Sequence, residues 1–338
     1  MVKRAGNLKP ILLSEDTLRE AIRYASRGRK HTRGYIEFNA HRKERMAELR
    51  RMLAEGTYRS SQYRHFDRRE RGKTRHISAL PFYPDRIVHW VLTLTTRDIF
   101  MRTFSARTYA AIPGRGTHKA LKDLKASLRT GRYTHALKMD VHHYFESIDK
   151  AILMEDLSRR IKDPVILSLY REVIFGYPGS GIPIGNLTSQ YLANLYLSDL
   201  DHFLAEKYHA RAFRYMDDII VLGWSTAWLR RVKTVTEQEL ARKGLMLNAN
   251  WQIINLDEGV DFIGYRSFRT YTLLRKATKR RMVRKMKRIN RVLDEGAEAD
   301  TPIRSCIASY RGILSWCDGF RLHQRYISPV MARIEATT

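Results

Sequence analysis

Two consecutive aspartates, Asp217 and Asp218, are the residues of this chain whose spacing most directly suggests chemistry. Apolar, β-favouring residues on both sides, over 213–216 and 219–221, predict two short strands that meet at a tight turn. Adjacent carboxylates repel each other unless a cation lies between them, and Mg²⁺ prefers such oxygen ligands. The pair therefore indicates a metal site, with a water-exposed Asp-Asp turn as the alternative.

A third carboxylate, Asp140, ends a predicted strand over 137–141. An acid at a strand end and two acids in a hairpin turn supply the carboxylates of a two-metal phosphoryl-transfer site. One ion there lowers the pKa of an attacking hydroxyl, and the other offsets charge on the leaving phosphate. His142 and His143 follow directly, but adjacent side chains of an extended segment point to opposite faces, so we do not expect them to bind metal.

A basic segment over 63–80 carries charge that suits phosphate groups. It is rich in arginine and turns near Gly72, which predicts a basic β-hairpin. Lys73 and Arg75 alternate along its second strand, so they share a face and could clamp a triphosphate. A solvated charged loop is the alternative.

A second basic segment, 275–291, contains ten Lys or Arg residues and no acid. Met282, Met286 and Ile289 recur within it at helical spacing, which predicts an amphipathic helix. Because solvated faces usually mix both signs of charge, we favour contact with nucleic-acid phosphates over a merely soluble face.

The elements around these residues alternate between helices and strands, which predicts an α+β fold. Continuous helices are expected over 39–55, 186–204 and 227–243, and strands over 245–247 and 260–265. The helix over 186–204 is apolar on overlapping stripes, so we expect it to pack under a sheet.

Charge and composition narrow the class of protein. The 338 residues include 62 Lys or Arg against 35 Asp or Glu, a net charge of +27, so nucleic acid is the first candidate partner. No apolar run approaches the roughly 20 residues of a transmembrane helix, and we recognise no signal peptide, so we expect a cytoplasmic protein without membrane contact. Cys306 and Cys317 have no Cys or His pair near them at zinc-ligand spacing, so structural thiols are expected.

In their order along the chain, these motifs resemble those of reverse transcriptases. The matching segments are the Tyr-x-Asp-Asp signature at 215–218, the acidic motif at 137–140 with Phe145, a primer-grip-like hairpin at 262–265 and a fingers motif at 73–77. The resemblance implies a right-hand polymerase of the α+β class, with an antiparallel palm sheet backed by helices and a helical C-terminal thumb. It implies N-terminal helices and fingers over 1–130, a palm over 131–266 and a basic helical thumb over 267–338.

The same resemblance assigns roles to individual residues. Two Mg²⁺ ions, with Mn²⁺ as a substitute, are expected on the catalytic Asp140, Asp217 and Asp218 together with Val141. The incoming nucleotide is expected to contact Lys73, Arg75, Phe145, Ile184, Gly185 and Gln190. Primer and template are expected to contact Tyr215, Met216, Phe262, Gly264, Arg280, Arg284 and Lys287.

Phe145 aligns with the steric gate of the family. A ring there would crowd a ribose 2′-hydroxyl, so the resemblance implies deoxynucleotide substrates. A core aromatic is the alternative.

The segment 181–190 distinguishes branches of the family. Most reverse transcriptases, including those of group II introns, have Gln-Gly there and end in Ser-Pro, whereas this chain has Ile184-Gly185 and ends in Ser189-Gln190. That variant resembles the enzymes of diversity-generating retroelements, which misincorporate opposite template adenines. An apolar side chain in place of an amide removes a polar constraint on the nascent base pair, so lower fidelity is expected.

A further departure lies at 247–252, where many reverse transcriptases carry a lysine proposed as the general acid toward pyrophosphate. Trp251 or Asn250 lies in this region instead. The acid is therefore absent, supplied by Lys243 or replaced by water.

The resemblance predicts an RNA-directed DNA polymerase that makes cDNA from a retroelement template RNA, for mutagenic retrohoming and diversification of a target gene. Expected partners are template RNA, a cDNA or primer strand, dNTPs and a small basic accessory protein that forms a pentameric barrel. A bacterial, archaeal or phage origin is expected.

Four alternatives remain. Two lie within the family, a group II intron-like and an abortive-infection reverse transcriptase. A catalytically inactive nucleic-acid-binding scaffold is a third, although it would have no use for three converging acids. A two-metal phosphodiesterase is the fourth, although it would not need Phe145 or the basic strand at Lys73 and Arg75.

Overall fold

A computed structural model describes residues 4–70, 73–296 and 300–336 of the chain. These residues form helices interspersed with short strands, which confirms the predicted α+β class. The helices are α1 (Lys9–Leu12), α2 (Glu15–Ala25), α3 (Arg33–Ala40), α4 (Arg42–Glu55), α5 (Ile87–Thr103), α6 (Thr117–Arg129), α7 (Tyr144–Ser147), α8 (Lys150–Ser158), α9 (Pro164–Phe175), α10 (Leu187–Tyr196), α11 (Ser198–Glu206), α12 (Thr226–Ala241), α13 (Lys276–Asp294), α14 (Thr301–Leu314), α15 (Phe320–Leu322) and α16 (Ser328–Ala336). The strands are β1 (Arg64–Glu70), β2 (Lys73–Ala79), β3 (His135–Asp140), β4 (Arg211–Tyr215), β5 (Asp218–Gly223), β6 (Gln252–Asn255), β7 (Val260–Phe262), β8 (Tyr265–Ser267) and β9 (Thr272–Leu274).

Local sequence explains where several helices begin. Helix α9 follows Asp163, whose carboxylate accepts hydrogen bonds from two amides of the first turn, and Pro164 takes the first position, where no amide donor is needed. Helix α14 follows Asp300, whose carboxylate accepts a hydrogen bond from the Ile303 N–H, and Pro302 takes its second position. Side-chain caps of this kind satisfy amides that the helix itself leaves free.

The strands of the described residues form three sheets. Strands β1 and β2 form the antiparallel hairpin that the sequence predicts, and its register pairs Arg64 with Ala79. A four-stranded sheet has the order β4-β5-β3-β6, and a three-stranded sheet has the order β7-β8-β9. A two-residue turn at Met216 and Asp217 links β4 to β5.

The chain divides into two compact units. The first comprises Met1–Gly114, Met139–Ile219 and Arg231–Trp251, and the second comprises Arg115–Lys138, Ile220–Arg230 and Gln252–Thr338. The three predicted catalytic aspartates all belong to the first unit, and helix α13 belongs to the second.

Helix α13 has the predicted amphipathic pattern. Met282, Met286 and Ile289 are buried, at 3% exposure or less, and pack with residues of α14 and α16 in the core of the second unit. Arg280, Arg284 and Lys287 are exposed on the helix. The apolar stripe thus holds the helix in the unit and leaves a basic face outside.

The prediction of one continuous helix over 186–204 is wrong. Leu197 leaves the helical conformation (φ −99°, ψ 4°), so the segment forms two helices, α10 and α11. Seven residues of an unbroken helix would separate Asn194 from Asp201 by about 10.5 Å along the axis. The break lets both of them contact the same buried side chain, Arg214.

Three other local predictions are also wrong. The segment 39–55 is interrupted at His41, which is not helical. Of the predicted strand 245–247, only Leu247 pairs, in a single bridge with Val141. His142 and His143 are not extended, because His143 is left-handed (φ 41°) and the two rings are in edge contact with centroids 4.2 Å apart.

Candidate active site

The turn between β4 and β5 holds Asp217, and Asp218 follows directly as the first residue of β5. Met216, its first residue, has a left-handed backbone (φ 57°), and Asp217 and Asp218 are half-buried. The Asp217 carbonyl accepts a hydrogen bond of 3.2 Å from the Val141 N–H. Because Val141 follows Asp140 directly, this bond brings the end of β3 beside the turn.

Asp140 is held by Asn248, a residue outside the motifs of the sequence. The Asn248 backbone N–H donates to the Asp140 carbonyl at 2.8 Å, and the Asn248 Nδ2 donates to Asp140 Oδ2 at 2.6 Å. Asn248 is placed there by the bridge between Val141 and Leu247. The only signal in the sequence is a polar residue directly after the apolar 245–247.

The donor set at this place consists of carboxylates, which are the ligands that hard divalent ions prefer. Within residues 4–70, 73–296 and 300–336, no group of three or more His, Cys, Asp or Glu side chains is arranged to hold a metal ion. The metal site of Asp140, Val141, Asp217 and Asp218 therefore stays a prediction.

Phe145 lies in the short helix α7, where its ring is half-buried and meets Tyr144 edge-on at 5.6 Å. Burial raises the pKa of Tyr144, whose hydroxyl donates to the Ala193 carbonyl. The Phe145 carbonyl accepts a hydrogen bond from the Ile182 N–H at 2.9 Å. The adjacent Gly181 has φ +65°, and a Cβ there would lie 2.1 Å from the Phe145 carbonyl oxygen. The loop before α10 therefore packs against the backbone of Phe145 and holds it in place.

The same loop also contacts the fingers-like hairpin. The Ile184 carbonyl accepts from the Ser78 N–H at 3.3 Å, and a Cβ on Gly185 would lie 3.2 Å from the Ser78 carbonyl oxygen. The Ile184 side chain is half-buried, and Gln190 is exposed on α10. The structure thus brings the predicted nucleotide-binding residues Ile184 and Gly185 against β2.

Two further nucleotide-binding predictions fall on β2 itself. The backbones of Lys73 and Arg75 lie in this strand, opposite Glu70 and Arg68. Their side chains lie outside the described residues, so the predicted triphosphate clamp stays a prediction.

The residues predicted to contact primer or template occupy three places. Tyr215 and Met216 are half-buried at the aspartate turn. Phe262 is 1% exposed at the end of β7, and Gly264 (φ +95°) lies in the tight turn that leads to β8, as expected for a hairpin. Arg280, Arg284 and Lys287 are on the exposed face of α13 in the second unit.

An arginine-lined groove of about 770 Å³ lies in the first unit, and none of the described residues that line it is acidic. Phe66 in this groove is 44% exposed, and Trp90 is stacked on Tyr24 with ring centroids 4.7 Å apart. The arginines that line it are Arg29, Arg33, Arg64, Arg68 and Arg86. Cations beside exposed aromatic rings are typical of grooves that bind single-stranded nucleic acid.

Lys243, one of the three options for the general acid, already has a partner. Its Nζ lies 2.6 Å from Asp156 Oδ2 and 4.8 Å from the centre of the Tyr196 ring. Burial raises the pKa of Asp156. This mostly buried ion pair gives Lys243 a structural role, so the general acid stays unassigned.

Comparison with known proteins identifies related sequences. A family model described as reverse transcriptase (RNA-dependent DNA polymerase) matches residues 66–267, more than half of the chain. Protein YkfC of Escherichia coli K12 is 29% identical over 174 residues, which are 46% of this chain and 45% of that protein. The group II intron-encoded protein LtrA of Lactococcus lactis is 25% identical over 195 residues, which are 54% of this chain and 32% of that protein. The chain thus spans less than half the length of either relative.

Among solved structures, the chain is similar to telomerase from Candida tropicalis in complex with a TWJ fragment of telomeric RNA. The TM-score is 0.51 at 12% sequence identity, over 83% of this chain and 55% of that one. At this identity the similarity concerns the fold alone, and it confirms the predicted right-hand polymerase fold. In the part of the chain that the structure describes, no helix is long and apolar enough to span a membrane.

Proposed function

Because this chain belongs to the reverse transcriptase (RNA-dependent DNA polymerase) family, we propose that it copies RNA into DNA by nucleotidyl transfer at Asp140, Asp217 and Asp218. The observation that carries the proposal is the hydrogen bond of 3.2 Å from the Val141 N–H to the Asp217 carbonyl. This bond joins the strand that ends in Asp140 to the turn at Asp217, which Asp218 follows directly. Two-metal nucleotidyl transfer requires carboxylates from both places.

Asp140, Asp217, Asp218 and the Val141 carbonyl are the proposed ligands of two Mg²⁺ ions, with Mn²⁺ as a substitute. Bound there, the ions would activate the primer hydroxyl and offset charge on the leaving pyrophosphate. Asn248 holds the Asp140 carboxylate in one orientation through its 2.6 Å hydrogen bond. The Phe145 ring would exclude a 2′-hydroxyl and so select deoxynucleotides.

Template RNA is the proposed polyanion. The arginine groove with the exposed Phe66 supports binding of a single strand through phosphate attraction and base stacking. The basic face of α13 would contact the primer–template duplex. In this proposal residues 1–130 include the fingers, 131–266 the palm and 267–338 the thumb.

Within the family, Ile184 favours the branch of diversity-generating retroelements. Its carbonyl is bonded to the Ser78 N–H, so its segment is fixed against β2 while its side chain offers no hydrogen-bonding group. A nascent base pair beside it lacks one polar constraint, which favours misincorporation. The proposed activity is error-prone copying at template adenines for mutagenic retrohoming, with a pentameric basic accessory protein as partner.

A faithful group II intron-like reverse transcriptase is the second candidate function. It is favoured by the similarity to LtrA, a group II intron-encoded protein. The two candidates differ in the expected error spectrum and in the need for an accessory protein.

The deciding experiment supplies the purified chain with cognate template RNA, Mg²⁺ and four dNTPs, with and without the neighbouring accessory protein, and sequences any cDNA. A variant with both Asp217→Ala and Asp218→Ala is the control. If only the wild-type chain makes cDNA, and its errors are concentrated at template adenines, both the polymerase activity and the retroelement branch are supported. Faithful cDNA would support the polymerase activity but reject the retroelement branch. Absence of cDNA would favour the inactive nucleic-acid-binding scaffold.

The contribution of Ile184 is tested separately by Ile184→Gln, which restores the amide of most family members. We expect fewer errors at template adenines, with Ile184→Leu as the control that keeps an apolar side chain. An unchanged error spectrum in Ile184→Gln would remove Ile184 from this role.

A further inference from the structure

A buried cation lies directly before the aspartate turn. Arg214, in β4, is 1% exposed and is among the largest fully buried side chains of the chain. A buried guanidinium is strongly destabilising unless its donors are all engaged. The function described above does not use this residue.

Helix α11 supplies the charge that compensates Arg214. Its Nε donates to Asp201 Oδ1 at 2.8 Å and its Nη2 donates to Asp201 Oδ2 at 2.6 Å, so the two planar groups meet as a fork. Burial by itself would lower the pKa of Arg214, but the Asp201 carboxylate raises that pKa above its ordinary value. The guanidinium is therefore a permanent charge in a fixed orientation.

The remaining donors of Arg214 connect α10 to the turn. Nη2 donates to the Asn194 carbonyl at 3.1 Å, and Nη1 donates to Asn194 Oδ1 at 3.3 Å. Nη1 also donates to the Met216 carbonyl at 3.1 Å. One side chain thus ties two helices to the peptide that links Met216 to Asp217.

The partners of Arg214 are themselves fixed. Asp201 Oδ2 accepts from the Thr108 hydroxyl at 2.7 Å, and Asn194 Nδ2 donates to the Ala110 carbonyl at 2.8 Å. Asn194 is fully buried and Asp201 is 9% exposed. The network is therefore rigid and shielded from water, as a positioning device requires.

The contact with Met216 falls at a strained position. Met216 has φ 57°, a left-handed conformation that a residue with a side chain keeps only when its surroundings enforce it. The hydrogen bond to its carbonyl fixes the plane of the peptide that leads into Asp217. Asp217 is held from its other side by the Val141 N–H.

We propose that Arg214, held by Asp201 and Asn194, is a positioning residue that fixes the Met216–Asp217 peptide and thereby the directions of the Asp217 and Asp218 carboxylates. This inference rests on the proposed function for its catalytic consequence. That Arg214 fixes the Met216–Asp217 peptide is inferred from the hydrogen bonds alone.

The test variant is Arg214→Lys, because the three donors on one ammonium nitrogen cannot replace the planar guanidinium, which bonds two atoms of Asp201, two atoms of Asn194 and the Met216 carbonyl. Hydrogen exchange of amides 216–219 should become about tenfold faster, while the other strands of the first unit stay protected. With primer–template and dNTPs, kcat should fall about tenfold or more at nearly unchanged KM. Asp201→Asn should also speed hydrogen exchange at 216–219 and lower kcat. It replaces Arg214→Lys as the test variant if Arg214→Lys does not fold.

Asp163→Ala is the control for general destabilisation. Asp163 is a buried acid in the first unit, where it caps α9 and accepts from the Leu8 N–H at 2.6 Å. Its loss should lower the melting temperature but leave both the exchange at 216–219 and kcat per folded molecule unchanged.

Unchanged exchange at 216–219 in Arg214→Lys would overturn the proposal, and so would equal acceleration throughout the unit, which indicates a merely structural role. Failure of the wild-type chain to make cDNA would instead reject the proposed polymerase. The exchange measurement would then still decide the positioning role of Arg214.

Discussion

Asp140 and Phe145, two residues of the proposed active site, each have a backbone carbonyl that accepts a hydrogen bond from a distant segment. Asp140 receives both the side-chain amide and the backbone N–H of Asn248, and Phe145 is held through its own carbonyl by Ile182. The Asp140 carboxylate therefore has a defined direction, and the Phe145 backbone a defined position, before any substrate binds. Groups that are already oriented need little free energy of reorganisation when a substrate binds.

Replacing Asn248 by alanine should loosen the Asp140 carboxylate. A hydrogen bond to a charged group contributes about 2 kcal/mol, so we expect kcat for dNTP incorporation to fall by about tenfold or more. Single-turnover incorporation on a primer–template measures the effect. Asn250→Ala, an exposed neighbour in the same segment, should behave as wild type, and equal rates in both variants would show that Asn248 does not orient Asp140.

Replacing Phe145 by alanine should let ribonucleotides in, because the ring would no longer crowd the 2′-hydroxyl. We expect the kcat/KM ratio of dNTP over rNTP to drop by about tenfold or more. Phe175→Ala, which removes a 46% exposed ring of the same unit, should leave the ratio unchanged. Unchanged sugar discrimination in Phe145→Ala would remove Phe145 from this role.

Among the larger elements, the loop before α10 links two parts of the proposed nucleotide site. Ile182 bonds the Phe145 carbonyl, and Ile184 bonds the Ser78 N–H of β2. One loop therefore contains Ile184, which is predicted to affect fidelity, and contacts Phe145, which is predicted to select the sugar. A change in its backbone should affect both properties.

Gly181→Ala tests this coupling. The new Cβ would lie 2.1 Å from the Phe145 carbonyl oxygen, so the loop or α7 must move, at about 2 kcal/mol or more of lost stability. We expect weaker discrimination against rNTPs and a changed error rate, measured with the same substrates as for Phe145→Ala. Gly244→Ala is the control, because Gly244 has a similar φ of +71° but nothing within 4 Å of its Cβ position. Equal sugar discrimination in both alanine variants would contradict the coupling.

For the whole molecule, the net charge of +27 predicts nucleic-acid binding that weakens as salt is added, by an amount set by the number of phosphates that are contacted. Replacing Arg280, Arg284 and Lys287 together by alanine should weaken primer–template binding and reduce the slope of log K against log salt by about 2 to 3. Fluorescence anisotropy at several salt concentrations measures both quantities. The control triple replacement, Arg19, Arg23 and Arg242 to alanine, removes cations that already pair with an acid three or four residues earlier in the chain. If both triples change the slope equally, α13 is not a specific contact.

The amino-acid sequence by itself determined the elements whose pattern is local. The basic hairpin, the aspartate turn and the amphipathic α13 were all predictable, because strand alternation, turn residues and helical spacing act within about ten residues. Each motif is contiguous in the chain, so its residues could be identified from the sequence, while their roles in the site stay a prediction. The α+β class followed from the succession of these elements.

Only the tertiary structure decided which residues support the aspartates. Asn248 lies 108 positions from Asp140, and Asp201 and Asn194 reach Arg214 from two helices that the sequence pattern had merged into one. Polar residues inside an apolar helix indicate that a buried partner exists, because an unpaired polar group in a core is destabilising. They do not indicate which partner, because that depends on how distant segments pack.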